Sequence, residues 1–106
     1  MWVLIDTNSG YRIARKLAYC VRRQGRRFRA IFFAGTERVR RVAPNVKFET
    51  ATSDTDIFHT ALRLHRLSGG RVVVITRDRA LKAWLRNSGV EALTPEEAIE
   101  KLCSEG

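Results

Sequence analysis

Apolar residues fall in short continuous runs that alternate with amphipathic stretches of helical period. Trp2-Val3-Leu4-Ile5 is unbroken and of strand length, and Asp6-Thr7-Asn8-Ser9 behind it supplies helix-capping residue types. Between Ser9 and Gln24, Ile13, Leu17 and Val21 recur on one helical face, and Gly25 is a suitable terminator. Phe28 to Ala34 reads as a second buried strand, and a short helix is predicted from Glu37 to Val42, stopped by Pro44. Val46 to Thr50 alternates apolar and polar, which predicts a strand at a sheet edge. Ser53 to Leu67 is helical in period, with Ile57, Ala61, Leu64 and Leu67 on one face, and Ser68-Gly69-Gly70 is a turn.

Val72-Val73-Val74-Ile75 is apolar at every position, as a strand covered on both sides requires. Asp78 to Asn87 reads as a helix stopped by Gly89, and Val90 to Leu93 as a short strand. Thr94-Pro95-Glu96-Glu97 carries the signature of a helix start, with the helix running to about Cys103. Strands alternating with helices imply an α/β domain of three layers, α/β/α, around a parallel sheet. The two most apolar strands, 2–5 and 72–75, belong at its centre. With right-handed crossovers the predicted sheet is five-stranded and all parallel, in the order 3-2-1-4-5, within one domain covering residues 1–106. Such sheets bind ligands beyond the carboxyl ends of their strands, where the order reverses between the first and fourth strands.

Charge sharpens this picture. The formal net charge is +9, and residues 1–53 hold twelve Lys and Arg against three acids, while residues 54–106 hold eight of each. An Arg-rich basic half favours a polyanionic partner, with nucleic acid the commonest; the alternative is an Arg-rich surface selected for stability. No run of residues is long and apolar enough for a membrane span, and Asp6 interrupts the first apolar run before it resembles a signal peptide. Cys20 and Cys103 are expected to be buried free thiols rather than a bridge, which fits a reducing cytoplasm.

The acids fall where the topology puts a ligand site. Asp6 ends the first strand, Asp78 follows the fourth, and Asp54 and Asp56 open the helix after the third. Glu37 and Glu49 map to the same rim. Each has a capping alternative: Ser53 with Asp56 matches a capping box, Asn8 is a capping type, and Asp78 is a plain N-cap candidate. Taken together, grouped carboxylates repel one another and call for a cation. An all-oxygen donor set suits Mg²⁺ or Mn²⁺ rather than zinc, and phosphodiester hydrolysis is chemistry such ions support.

Three segments carry a resemblance. Val-Leu-Ile-Asp6-Thr7-Asn8, Asp54-Thr55-Asp56-Ile57 and Val-Val-Val-Ile-Thr76-Arg77-Asp78-Arg79-Ala80-Leu81 resemble, in this order, the signature segments of the PIN-like nucleases. Together with Gly70 and Gly89-Val90 they look closest to the compact NYN/YacP-type branch. The resemblance implies a PIN-like fold and a metal-dependent endoribonuclease of single-stranded RNA. Asp6 and Asp78 would be metal ligands and catalytic residues, with Asp56 or Asp54 completing the set and Glu37 or Glu49 standing for the family's mid-chain acid. Asn8 and Thr76 would match substrate-orienting positions, and Ser53 beside Asp54 is a further candidate.

Arg12, Arg15, Lys16, Tyr19, Arg22, Arg23 and Arg26 recur at intervals of three and four, a basic stripe with one aromatic ring that suits an RNA backbone; the alternative is a solvated helix face. Arg77 and Arg79 either contact phosphate or pair with acids of the rim. Two further functions stay open: a non-catalytic RNA- or ribosome-binding module with a degenerate metal site, and a toxin-type component controlled by a protein partner. A homodimer is compatible with all three.

Overall fold

The computed structural model describes residues 1–6, 11–24, 29–34, 40–43, 46–50 and 54–103. Its elements are β1 (Trp2–Asp6), α1 (Tyr11–Gln24), β2 (Arg29–Ala34), β3 (Arg40–Ala43), β4 (Val46–Thr50), α2 (Asp54–Leu67), β5 (Val72–Ile75), α3 (Arg79–Asn87), β6 (Glu91–Leu93) and α4 (Pro95–Cys103). They build one six-stranded sheet in the order β3-β4-β2-β1-β5-β6. β1 pairs in parallel with β2 on one side and β5 on the other, β4 joins β2 in parallel, and β6 joins β5 likewise.

This overturns the expected five-stranded, all-parallel PIN-like sheet. β3 adds a sixth strand, antiparallel to β4, with Ala43 opposite Val46. It occupies residues 40–43, where the sequence predicts a helix, and it takes the edge position expected of 46–50. The physical reason lies in the segment itself. Arg40–Ala43 pairs with the outer edge of β4, and a proline behind such a run stops a strand as well as a helix. Glu37, the candidate within the predicted helix, lies outside the described residues.

The apolar pattern of β1 and β5 explains why they are central. Their successive side chains point to opposite faces, and both faces are covered. On one, Val3, Ile5, Val73 and Ile75 pack with Leu17 and Val21 of α1 and Ala98 and Leu102 of α4. On the other, Leu4, Val72 and Val74 pack with Ile57, Phe58, Ala61 and Leu64 of α2 and Leu81 and Leu85 of α3. Trp84 stacks on Phe58 with ring centroids 3.7 Å apart and keeps 44% of its surface exposed. Leu67, expected on the apolar face of its helix, is exposed instead.

The helix ends follow local chemistry. Gly89, at φ +81, turns the chain after α3, so that the Val90 amide donates to the Leu85 carbonyl at 2.9 Å. At the start of α4 the Thr94 amide donates to Glu97 Oε1 at 3.0 Å and the Glu97 amide to Thr94 Oγ1 at 3.3 Å, a reciprocal capping box. The Thr94 amide and hydroxyl hold the Glu97 carboxyl below its usual value. Because that value is depressed, this contribution is complete above the ordinary carboxylate range and is lost as pH falls through the lowered value.

The cysteines are not free. Cys20 of α1 and Cys103 of α4 form a disulfide with their Cα atoms 5.4 Å apart, a separation typical of such bridges. Both lie next to core positions of the two helices that share the first cluster, so packing itself brings the sulfurs together. The free-thiol expectation is thereby corrected. No helix among the described residues is long and apolar enough to cross a membrane. The bridge spans 83 residues of sequence, for which loop entropy alone gives a stabilisation of about 4–5 kcal/mol. Reduction, or Cys103→Ser, is therefore expected to lower the unfolding midpoint measurably in a thermal melt; an unchanged midpoint with dithiothreitol would show that the bridge contributes nothing.

Candidate functional site

Parallel strands bring all their carboxyl ends to one edge of the sheet, together with the N-termini of the helices that follow. β1 ends there in Asp6, which is only 4% exposed, and β5 is followed there by Thr76, which is fully buried. Ile5 and Ile75 are register partners, so Asp6 and Thr76 leave the sheet side by side, on strands spaced by about 4.8 Å. A carboxylate placed in such apolar surroundings needs donors. Thr76 provides one: its hydroxyl donates to Asp6 Oδ2 at 3.1 Å.

The same hydroxyl oxygen accepts the Asp78 backbone amide at 3.1 Å. Asp78 in turn caps α3, its Oδ1 accepting the Leu81 amide at 3.0 Å. Thr76 is itself fixed from β6, since its amide donates to the Leu93 carbonyl at 3.0 Å. One hydroxyl thus connects the end of the central strand to the start of α3. The capping alternative for Asp78 is realised, and its backbone amide shares the Thr76 hydroxyl with the buried Asp6.

The remaining candidates distribute as follows. Asp54 is the first residue of α2, its side chain outside the described set, and Asp56 is exposed one half-turn later. Asn8, Ser53 and Arg26, like Glu37, lie outside the described residues. Among the described residues no group of three or more His, Cys, Asp or Glu is arranged to share an ion. Arg77 pairs with Glu96 at the start of α4, an acid outside the candidate set, and Arg79 is exposed at the first position of α3.

On α1, Lys16, Tyr19, Arg22 and Arg23 are exposed, opposite the buried Leu17 and Val21. The Arg23 guanidinium lies 5.9 Å from the centre of the Tyr19 ring. Arg12 and Arg15 are in the same helix, with side chains outside the described set. A shallow depression of about 220 Å³ lies instead on the outer face of α2, lined by His59, Leu62, Arg63, Arg66 and Leu67, and includes none of the candidate acids.

Two features escaped the sequence reading. The bridging role of Thr76 depends on strand register, and a lone threonine after an apolar run does not announce it. Arg29 and Trp2 form a second Arg–aromatic contact, at 5.7 Å, across paired strand starts. Comparison with protein-family models, curated proteins and solved structures finds no match to this chain.

Removing the Thr76 hydroxyl withdraws a donor from a buried carboxylate and an acceptor from the Asp78 amide. Thr76→Val, which keeps the volume, is expected to destabilise the fold by about 1–3 kcal/mol in urea denaturation, with Thr76→Ser close to the parent. Equal stability of the valine and parent proteins would show that the hydroxyl connects nothing of consequence.

Proposed function

We propose that this chain is a divalent-metal-dependent endoribonuclease that hydrolyses phosphodiester bonds of single-stranded RNA at the carboxyl edge of its sheet. The observation that carries the reading is the buried Asp6 at the end of the central strand, tied through the Thr76 hydroxyl to Asp78 across the point where the strand order reverses. Ligands of open α/β sheets bind at that point. The likeness of the three acidic segments to those of PIN-like nucleases supports the same reading, as does the net charge of +9.

The donor set suits the ion proposed. Carboxylates are hard oxygen donors that favour a hard cation, and Mg²⁺ is commonly held by one or two carboxylates with water and substrate phosphate completing its shell. Asp6 and Asp78 would hold it, with Asp54 or Asp56 the acids of α2 nearest in the chain to that edge. When bound, the ion would supply Lewis acidity that lowers the pKa of water and stabilises charge at the phosphodiester. Burial of Asp6 keeps its carboxylate oriented, and Thr76 prevents it from rotating away. Arg79, exposed beside Asp78, offers a phosphate contact.

The competing reading, an RNA-binding module without catalysis, draws on one specific observation: Asp78 already serves as a helix cap. Cleavage of a labelled single-stranded RNA separates the two. The expected result is activity that rises with added Mn²⁺ or Mg²⁺, ceases in EDTA, and falls at least about a hundredfold in Asp6→Asn, with the variant's folding checked by circular dichroism. Cleavage that persists in EDTA or in folded Asp6→Asn would remove the hydrolytic reading.

A further inference from the structure

The edge opposite the acids has a different composition. β1, β2 and β5 begin there, bound together by the Arg29 amide donating to the Met1 carbonyl and the Trp2 amide to the Arg71 carbonyl, each at 2.9 Å. Arg29 and Arg71 therefore flank the start of the central strand, roughly two strand spacings apart, about 10 Å. The C-terminal turns of α1 and α2 reach the same edge from the two outer layers, with Arg22 and Arg23 on one and Arg66 on the other. All five guanidinium groups belong to exposed residues. Among the described residues none of the five is ion-paired, the pairs being Arg77–Glu96 and Lys101–Glu91.

Helix dipoles account for part of this. Basic residues in a last helical turn gain about 0.3–1 kcal/mol from the exposed carbonyls, which covers Arg22, Arg23 and Arg66. Strand starts offer no such dipole, so Arg29 and Arg71 are unexplained by it. Two of the guanidiniums also lie on aromatic rings: Arg29 on Trp2, and Arg23 on Tyr19, whose own surface is 61% exposed. Cations spread over three layers beside an exposed ring fit a flexible polyanion that carries stackable planes.

We infer that the amino edge of the sheet, formed by Arg22, Arg23, Arg29, Arg66 and Arg71 with Tyr19 beside them, binds single-stranded nucleic acid at a surface separate from the carboxyl edge. The four residue steps of β1, at about 3.3 Å each, put roughly 13 Å between the two edges. The surface needs no metal and holds the nucleic acid whether or not the acids cleave it. It extends the basic stripe of α1 around the end of the sheet, onto residues that sequence spacing cannot connect.

The test is anisotropy of a fluorescent oligouridylate, titrated with the full chain in EDTA so that hydrolysis plays no part. The triple variant Arg29→Gln, Arg66→Gln, Arg71→Gln is expected to bind at least about tenfold more weakly. Its log–log salt slope should shrink by about 2, at roughly 0.7 per lost phosphate contact on a single strand. A control of equal charge on the β6 side, Lys82→Gln, Arg86→Gln, Lys101→Gln, is expected to retain affinity and slope. Equal weakening by both variants, or none by the first, would overturn the assignment. Tyr19→Ala is expected to weaken oligouridylate about tenfold while leaving inorganic polyphosphate binding unchanged. Loss of neither ligand, or of both alike, would overturn nucleic acid as the occupant. Thermal melts confirm that each variant is folded.

Discussion

A carboxylate buried at the end of a central strand is the constraint around which this molecule is arranged. Asp6 is buried, and burying an unpartnered charge costs several kcal/mol. It is accommodated because β5 ends at the same level and is followed by a hydroxyl rather than another apolar residue. The Thr76 hydroxyl serves both strands at once, donating to Asp6 and accepting from the amide that begins the turn into α3. Shifting the register of β1 against β5 by one residue would move Asp6 away from the level of Thr76 and separate these groups. The valines and isoleucines that make the two cores thereby also set Asp6 beside Thr76.

Parallel topology divides the chemistry of the chain between two poles. Helix starts gather at the carboxyl edge with Asp6, Asp54, Asp78, Glu96 and Glu97, where anionic groups meet the positive ends of helix dipoles. Helix ends and strand starts gather at the other, with Arg22 and Arg23 of α1, Arg66 of α2, Arg29 of β2 and Arg71 before β5. The disulfide joins α1 to α4 within one outer layer and limits how far the basic helix can part from the sheet. A substrate strand held at one pole and presented to the other is the arrangement that the proposed hydrolysis and the proposed binding surface describe together.

Much of this could be read from residues. Four consecutive apolar positions at 72–75 and again at 2–5 demand cover on two faces, and the two strands are indeed neighbours under two cores. The capping box at Thr94 and Glu97 was legible because its chemistry is local. Residues 40–43 misled because a proline after a short apolar–basic run reads as a helix stop, whereas the segment pairs with the free edge of β4 as an antiparallel strand. The cysteine pair stayed hidden because two cysteines far apart in sequence carry no local pairing signal, whereas the bridge follows from how α1 and α4 pack. The placement of Asp6 and Asp78 at the carboxyl edge was legible from topology; the service of Thr76 to both was not, since it is a matter of register.

The central claim is that Asp6 and Asp78 together face one ion. Diffraction from crystals soaked in Mn²⁺, recorded where manganese scatters anomalously, tests it directly. The account predicts an anomalous peak within about 2–2.5 Å of carboxylate oxygens of both residues. A fully soaked crystal with no peak there, or with manganese bound only at other acids, would contradict it.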